Sequence, residues 1–223
     1  MKLKYLFMIV GFSIIACLLY TLMLGSPYNN YFYTSAVKLI LFLAAPFFYY
    51  SISKQGKFKN LFSFKGNKKY MKISVFYGVG IFILIIGAFV FLNSFFDRQM
   101  ITDSLKNEGI TSKAYPYVFV NIVFINAFLE ELFFRGFVFF SIFNLGYKRF
   151  AYIFSSTLFS VYHVAMMNSW FSPEIFVLCV IGLIAAGLIF NESDRRCENI
   201  SGGLFMHLGA NLAINLIGIY LIY

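Results

Sequence analysis

Apolar runs about twenty residues long recur along the whole chain, parted by short polar loops. A helix of that length rises about 30 Å, the thickness of a bilayer's hydrocarbon core. The runs cover roughly residues 5–24, 31–52, 73–96, 118–143, 150–167, 175–190 and 201–223. They predict an all-α, polytopic transmembrane helix bundle of about seven spans. The whole of residues 1–223 is expected to form one integral-membrane domain. No run shows the ten-residue alternation of an outer-membrane barrel. With 61% hydrophobic and 12% charged residues, the chain lies far from soluble proteins, which are about half apolar and a quarter charged.

Placement of the basic residues predicts orientation. Thirteen of the 18 Lys and Arg fall at the N-terminus, in the loop 54–72, at Lys148–Arg149 and at Arg195–Arg196. Seven spans put all of these on one side, with Arg98, Lys106 and Lys113 opposite. The positive-inside rule then makes the N-terminus cytosolic. The +9 net charge is therefore an orientation signal, with a lipid bilayer and not nucleic acid as the expected partner. Lys38, near the outer end of the second run, is expected to snorkel to the interface. Pro27 ends the first run, and the stretch around Trp170 breaks the fifth. Cys17 and Cys179 read as core packing and Cys197 as a loop thiol, with no pairing or metal-ligand spacing. Ile14–Cys17 has the look of a lipoprotein cleavage box, but apolar residues continue after it, so an uncleaved first helix is expected. Gly182, Ala186 and Gly187 predict close helix contact in the sixth run.

Charge inside the fourth run needs a reason, because an ionised side chain at the bilayer centre costs at least about 2.5 kcal/mol. Glu130, Glu131 and Arg135 stand within six residues there. Glu131 and Arg135 are four apart with the acid first, the favourable order for a helical ion pair. Glu130 is rotated about 100° away and left without that cation, free for general acid–base work. This assigns Glu131 a structural role and Glu130 a reactive one. Simple helix glue in membranes is usually Ser, Thr, Asn or Gln, which are less costly to bury.

The chain's two histidines lie in other apolar runs. Phe159 and His163 share a helix face, as do His207 and Asn211 with Asn215 a turn further on. The second face can offer hydrogen-bond donors to a developing oxyanion. At 1.5 Å per residue, Glu130 lies ~18 Å from its outer end, near mid-membrane. His207 and Asn211 lie ~9 and ~15 Å from the cytosolic end, and His163 ~20 Å from it, deeper than Glu130 by several ångströms. These depths point to a cavity reached from the cytosol.

The order Glu130-Glu131-x-x-x-Arg135, Phe159-x-x-x-His163, His207-x-x-x-Asn211 resembles the three motifs of the CAAX-protease and bacteriocin-processing (CPBP, or Abi) family of intramembrane endopeptidases. The resemblance covers about residues 117–223. It divides the chain into a motif-bearing protease core, 116–223, and three N-terminal helices with their loops, 1–115. What it implies is peptide-bond hydrolysis in the membrane: Glu130 and His163 activating water, His207 and Asn211 stabilising the oxyanion, Glu131 and Arg135 in support. The implied substrate is a membrane-associated peptide or protein, prenylated in eukaryotic relatives. Bacterial relatives are associated with bacteriocin self-immunity, peptide maturation and membrane-protein anchoring, and the Phe-, Ile-, Asn- and Lys-rich composition points to a bacterial plasma membrane.

Glu130, His163 and His207 could also form a zinc site of one carboxylate and two imidazoles. No His-Glu-x-x-His pair puts two histidines on one face, and zinc on His207 would compete with its role beside Asn211. A metal-free, Glu/His-activated water is therefore the expectation, with zinc as the alternative. Two other functions compete. A proton-coupled transporter also buries Glu and His, but the chain has no internal repeat. A non-catalytic immunity or scaffold protein would keep the fold and bind without turnover.

Overall fold

The computed structural model describes residues 2–26, 30–92, 98–167 and 173–222. The Pro27 turn and the Trp170 break lie outside them. Eight helices follow one another: α1 (Lys2–Leu24), α2 (Tyr31–Ser53), α3 (Lys68–Leu92), α4 (Arg98–Asn107), α5 (Tyr115–Asn144), α6 (Lys148–Met167), α7 (Pro173–Cys197) and α8 (Ser201–Ile222). A short 3₁₀ turn, Phe58–Phe62, lies between α2 and α3, and the described residues contain no strand. Six of these helices are long and apolar enough to cross a membrane: α1, α2, α3, α5, α7 and α8. The remaining long helix, α6, has 20 residues, about 30 Å, and carries Ser155, Ser156 and Ser160 on its buried side. It runs antiparallel to α7, with Tyr152, Ser156 and Ser160 meeting Glu192, Asn191 and Val180 in turn.

Chain ends and loops sort to two sides of the bundle. Gly66 and Asn67 pack on the Cys197 carbonyl, and Gly146 approaches Lys2. All four basic segments thereby gather at one end. At the other end, the Tyr31 amide donates to the Glu108 carbonyl at 3.0 Å, and Arg98 meets Tyr220.

Outward faces are apolar, as a lipid-facing surface requires: Phe91 is 89% and Phe76 77% exposed. Only small residues, Ser74 and Gly78, are buried on α3. There α3 and α8 cross backbone to backbone, since a Cβ on Gly209 would strike the Gly78 carbonyl. Small residues allow such approach where no hydrophobic force drives helices together. Gly187 likewise seats α7 on Ser156, at 2.9 Å for a built Cβ, whereas a Cβ on Gly182 meets nothing within 4 Å.

The interior between α1, α2, α5 and α6 is aromatic. Phe42 stacks on Phe133 with centroids 4.0 Å apart, and Phe134, Tyr20 and Tyr162 close around Phe42. This packing walls the charged residues of α5 away from lipid.

Three expectations are corrected. The stretch 191–197 is not a loop but the last two turns of α7. Cys197 is accordingly buried, 3.7 Å from the Ser74 hydroxyl. Lys38 does not snorkel: α2 turns Thr34, Lys38, Phe42 and Ala45 inward on one face, and the lysine is only 6% exposed. A carboxylate waiting inside outcompetes the headgroup interface for its ammonium.

Candidate active site

Within α5, the ordinary α-helical turn Ala127–Glu131 lies between two wide π-helical stretches, Asn121–Asn126 and Leu132–Phe139. Such widened turns recur at functional sites. They frame the two glutamates and aim both into the bundle, where Glu130, Glu131 and Arg135 are fully buried.

Glu131 and Arg135 pair as their spacing predicts, Nη1 donating to Oε1 at 3.0 Å. The guanidinium lies between rings, 4.1 Å from the Phe159 centroid and 5.0 Å from that of Phe190. A desolvated cation on an aromatic face gains about 2 kcal/mol, which helps keep this arginine inside. The same Glu131 oxygen is 2.7 Å from His207 Nδ1. An ionised carboxylate only accepts hydrogen bonds, so this contact puts the proton on Nδ1 and turns Nε2 toward Glu130.

Glu130 is not without a cation, contrary to the sequence expectation. Its Oε1 accepts from Lys38 Nζ at 3.1 Å, Asn126 Nδ2 at 2.9 Å and the Tyr162 hydroxyl at 3.2 Å. Lys38 also donates to Asn126 Oδ1 at 2.6 Å, which fixes the amide's orientation. All three donors converge on one oxygen. The other, Oε2, makes no hydrogen bond within the protein; it lies 3.5 Å from His163 Nε2 and 3.7 Å from His207 Nε2.

His163 is held by its own helix. Its Nδ1 bonds the Phe159 carbonyl at 2.8 Å, and its ring packs against the Phe159 ring, tilted by 56° with centroids 4.3 Å apart. A carbonyl accepts only, so Nδ1 is the protonated nitrogen and Nε2 carries the lone pair. Phe159 thus orients His163 and covers Arg135 at once. The several ångströms of depth that separated His163 from Glu130 on paper are absent from the structure.

Asn211 lies one turn beyond His207, 8% exposed, with its amide donating to the Ile122 carbonyl at 2.9 Å. One of its two N–H groups is thereby used. Asn215 bonds back to the Asn211 carbonyl at 2.8 Å.

Four residues of this cluster escaped sequence reasoning. Asn126 stands four before Glu130, a helical spacing that could have revealed it. Tyr162 adjoins His163. Lys38 comes from a helix with no motif. Asp194 lay in the stretch read as a loop: its Oδ1 accepts from the Gly203 amide at 2.6 Å, and its Oδ2 makes no hydrogen bond. A Cβ built on Gly203 would strike Glu131 Oε2 and lie 2.9 Å from Asp194 Oδ2, so the two carboxylates flank one glycine.

As donors, Glu130, His163 and His207 are of the kind zinc takes, and each histidine has its other nitrogen bonded to an oxygen, as metal-bound imidazoles do. Their arrangement does not close around an ion: among the described residues no set of three or more His, Cys, Asp or Glu could hold a metal. The cation that meets Glu130 is Lys38.

Apolar helices long enough to span a bilayer here enclose an acid–imidazole cluster, an arrangement that a membrane-embedded hydrolase would use. Residues 112–213 match the model of the Rce1-like family, described as type II CAAX prenyl endopeptidase Rce1-like. Over that segment, just under half of the chain, the sequence is similar to this family of intramembrane endopeptidases, which are peptide hydrolases. No curated protein and no solved structure gives a significant match. The matched segment contains every motif residue of α5, α6 and α8 and excludes α1 to α4.

Proposed function

We propose that this protein is a CAAX-type endopeptidase that cleaves a membrane-associated peptide with a water held between Glu130 and His163, and stabilises the oxyanion with His207 and Asn211. One observation carries this: Glu130 Oε1 is taken by three donors, while its free Oε2 faces both histidine Nε2 atoms. Two acceptors 3.5 Å apart, Glu130 Oε2 and His163 Nε2, suit a water that donates one O–H to each. As the water oxygen attacks the scissile carbonyl, its proton passes to this pair, and the same proton serves the leaving amine.

His207 has one requirement. With Nδ1–H committed to Glu131, it can donate from Nε2 only as the imidazolium. The Glu131 carboxylate, 2.7 Å away, stabilises that charge, and the remaining amide N–H of Asn211 stands one turn further on. Glu131 and Arg135 act as supports. Helices before residue 116 belong to the same working unit, since Lys38 of α2 reaches Glu130. In this mechanism Glu130 and His163 activate the water without a metal, and the Lys38 ammonium balances the buried charge of the carboxylate. By the positive-inside rule the basic end is cytosolic. The composition supports a bacterial plasma membrane, with peptide maturation or bacteriocin self-immunity as the role.

The test is cleavage of a farnesylated CAAX peptide and its unprenylated counterpart by protein in liposomes, with products weighed by mass spectrometry. Wild type releases the C-terminal tripeptide and His163→Ala does not. Cleavage at the wild-type rate by His163→Ala would overturn the mechanism.

A further inference from the structure

We propose that Lys38 is a positioning residue for Glu130, holding the carboxylate so that Oε2 is the oxygen presented to the histidines; this rests on the function proposed above. Lys38 lies on α2, outside the family-matched segment, so the motifs do not include it. Its ammonium donates to Glu130 Oε1 at 3.1 Å and Asn126 Oδ1 at 2.6 Å. The Tyr20 and Tyr162 rings flank it, with centroids 5.1 and 5.2 Å away.

A carboxylate can turn about its terminal bond, and its two oxygens are chemically equivalent until the surroundings distinguish them. Here Lys38, Asn126 and Tyr162, from α2, α5 and α6, meet at Oε1. Lys38 is the member that bridges the other helix's amide and the acid, and it alone brings charge. Without it, Asn126 loses the donor that fixes its orientation, and the Glu130 carboxylate loses the charged anchor that sets its plane and its distance from the histidines. Lys38 has no contact with His163 or His207 among its hydrogen bonds. Its effect should therefore fall on turnover rather than on substrate affinity.

The experiment measures kcat and KM for a fluorogenic farnesylated CAAX peptide in liposomes, with Lys38→Met, Lys38→Arg and His163→Ala beside wild type. Lys38→Met is expected to lose about 100-fold in kcat, the cost of misplacing a reacting group by about an ångström, with KM unchanged. Lys38→Arg, which keeps the charge, recovers part of that kcat. Lys38→Met/Glu130→Gln, which leaves no unpaired charge, melts above Lys38→Met while remaining inactive. If Lys38→Met does not fold, Lys38→Gln, which keeps a polar donor at the position and removes the charge, takes its place; about a 10-fold loss of kcat at unchanged KM is then expected. Wild-type kcat in whichever variant folds, beside an inactive His163→Ala, overturns the role of Lys38 alone. An active His163→Ala overturns the underlying mechanism instead.

Discussion

Replacing Arg135 by methionine removes the guanidinium paired with Glu131 and leaves that carboxylate in a fully buried site beside Asp194. Breaking a buried ion pair by deleting one partner costs about 3–5 kcal/mol. The lost stacking on Phe159 and Phe190 is part of the same removal and is not additional. For a chain of this size each kcal/mol moves the melting temperature by about 2–4 °C, so Arg135→Met should melt about 6–20 °C lower. The chain carries its own probe, because Cys17 and Cys197 are buried and react with a thiol dye only as the bundle opens. Thermal unfolding in detergent with such a dye gives the shift. Glu131→Gln/Arg135→Met, with no orphaned charge at that pair, should recover more than half of the loss without recovering activity. Arg135→Met melting within about 2 °C of wild type, under about 1 kcal/mol, would refute the pairing argument.

Gly203→Ala inserts a methyl between Glu131 and Asp194, so it should displace the Glu131–His207 contact and lower kcat more than it lowers melting temperature; kinetics and thermal unfolding on one preparation check this. Activity should survive chelation, since the proposed water is activated by Glu130 and His163; loss with a chelator, reversed by zinc and not by magnesium, would contradict it.

Much of the site was legible because helical spacing is a strict rule. Glu131 and Arg135 four apart, Phe159 and His163 four apart, and His207 and Asn211 four apart each place two groups on one face. The ion pair, the Phe159–His163 contact and the inward turn of both glutamates follow. Spacing within a helix says nothing about which other helix will face it. Lys38 looked like an interfacial lysine because only its own helix was visible, and its partner lies 92 residues away in sequence. Asp194 was hidden differently: Asn191 to Asn199 is polar enough to read as a loop, yet Asn191 bonds Ser156 and Asp194 Oδ1 accepts from the Gly203 amide, and both residues lie buried on a helix. Depth estimates failed for His163 because they assumed straight, untilted helices, whereas α5 carries two π-helical stretches around its glutamates.

Turnover by Glu130→Gln tests the central claim most directly. The glutamine side chain matches the carboxylate in shape and removes its ability to take a proton. With a farnesylated CAAX peptide in liposomes, kcat should fall by about 10²- to 10⁴-fold, the range for a lost general base, while KM is retained. A Glu130→Gln enzyme that turns over at the wild-type rate would contradict the account.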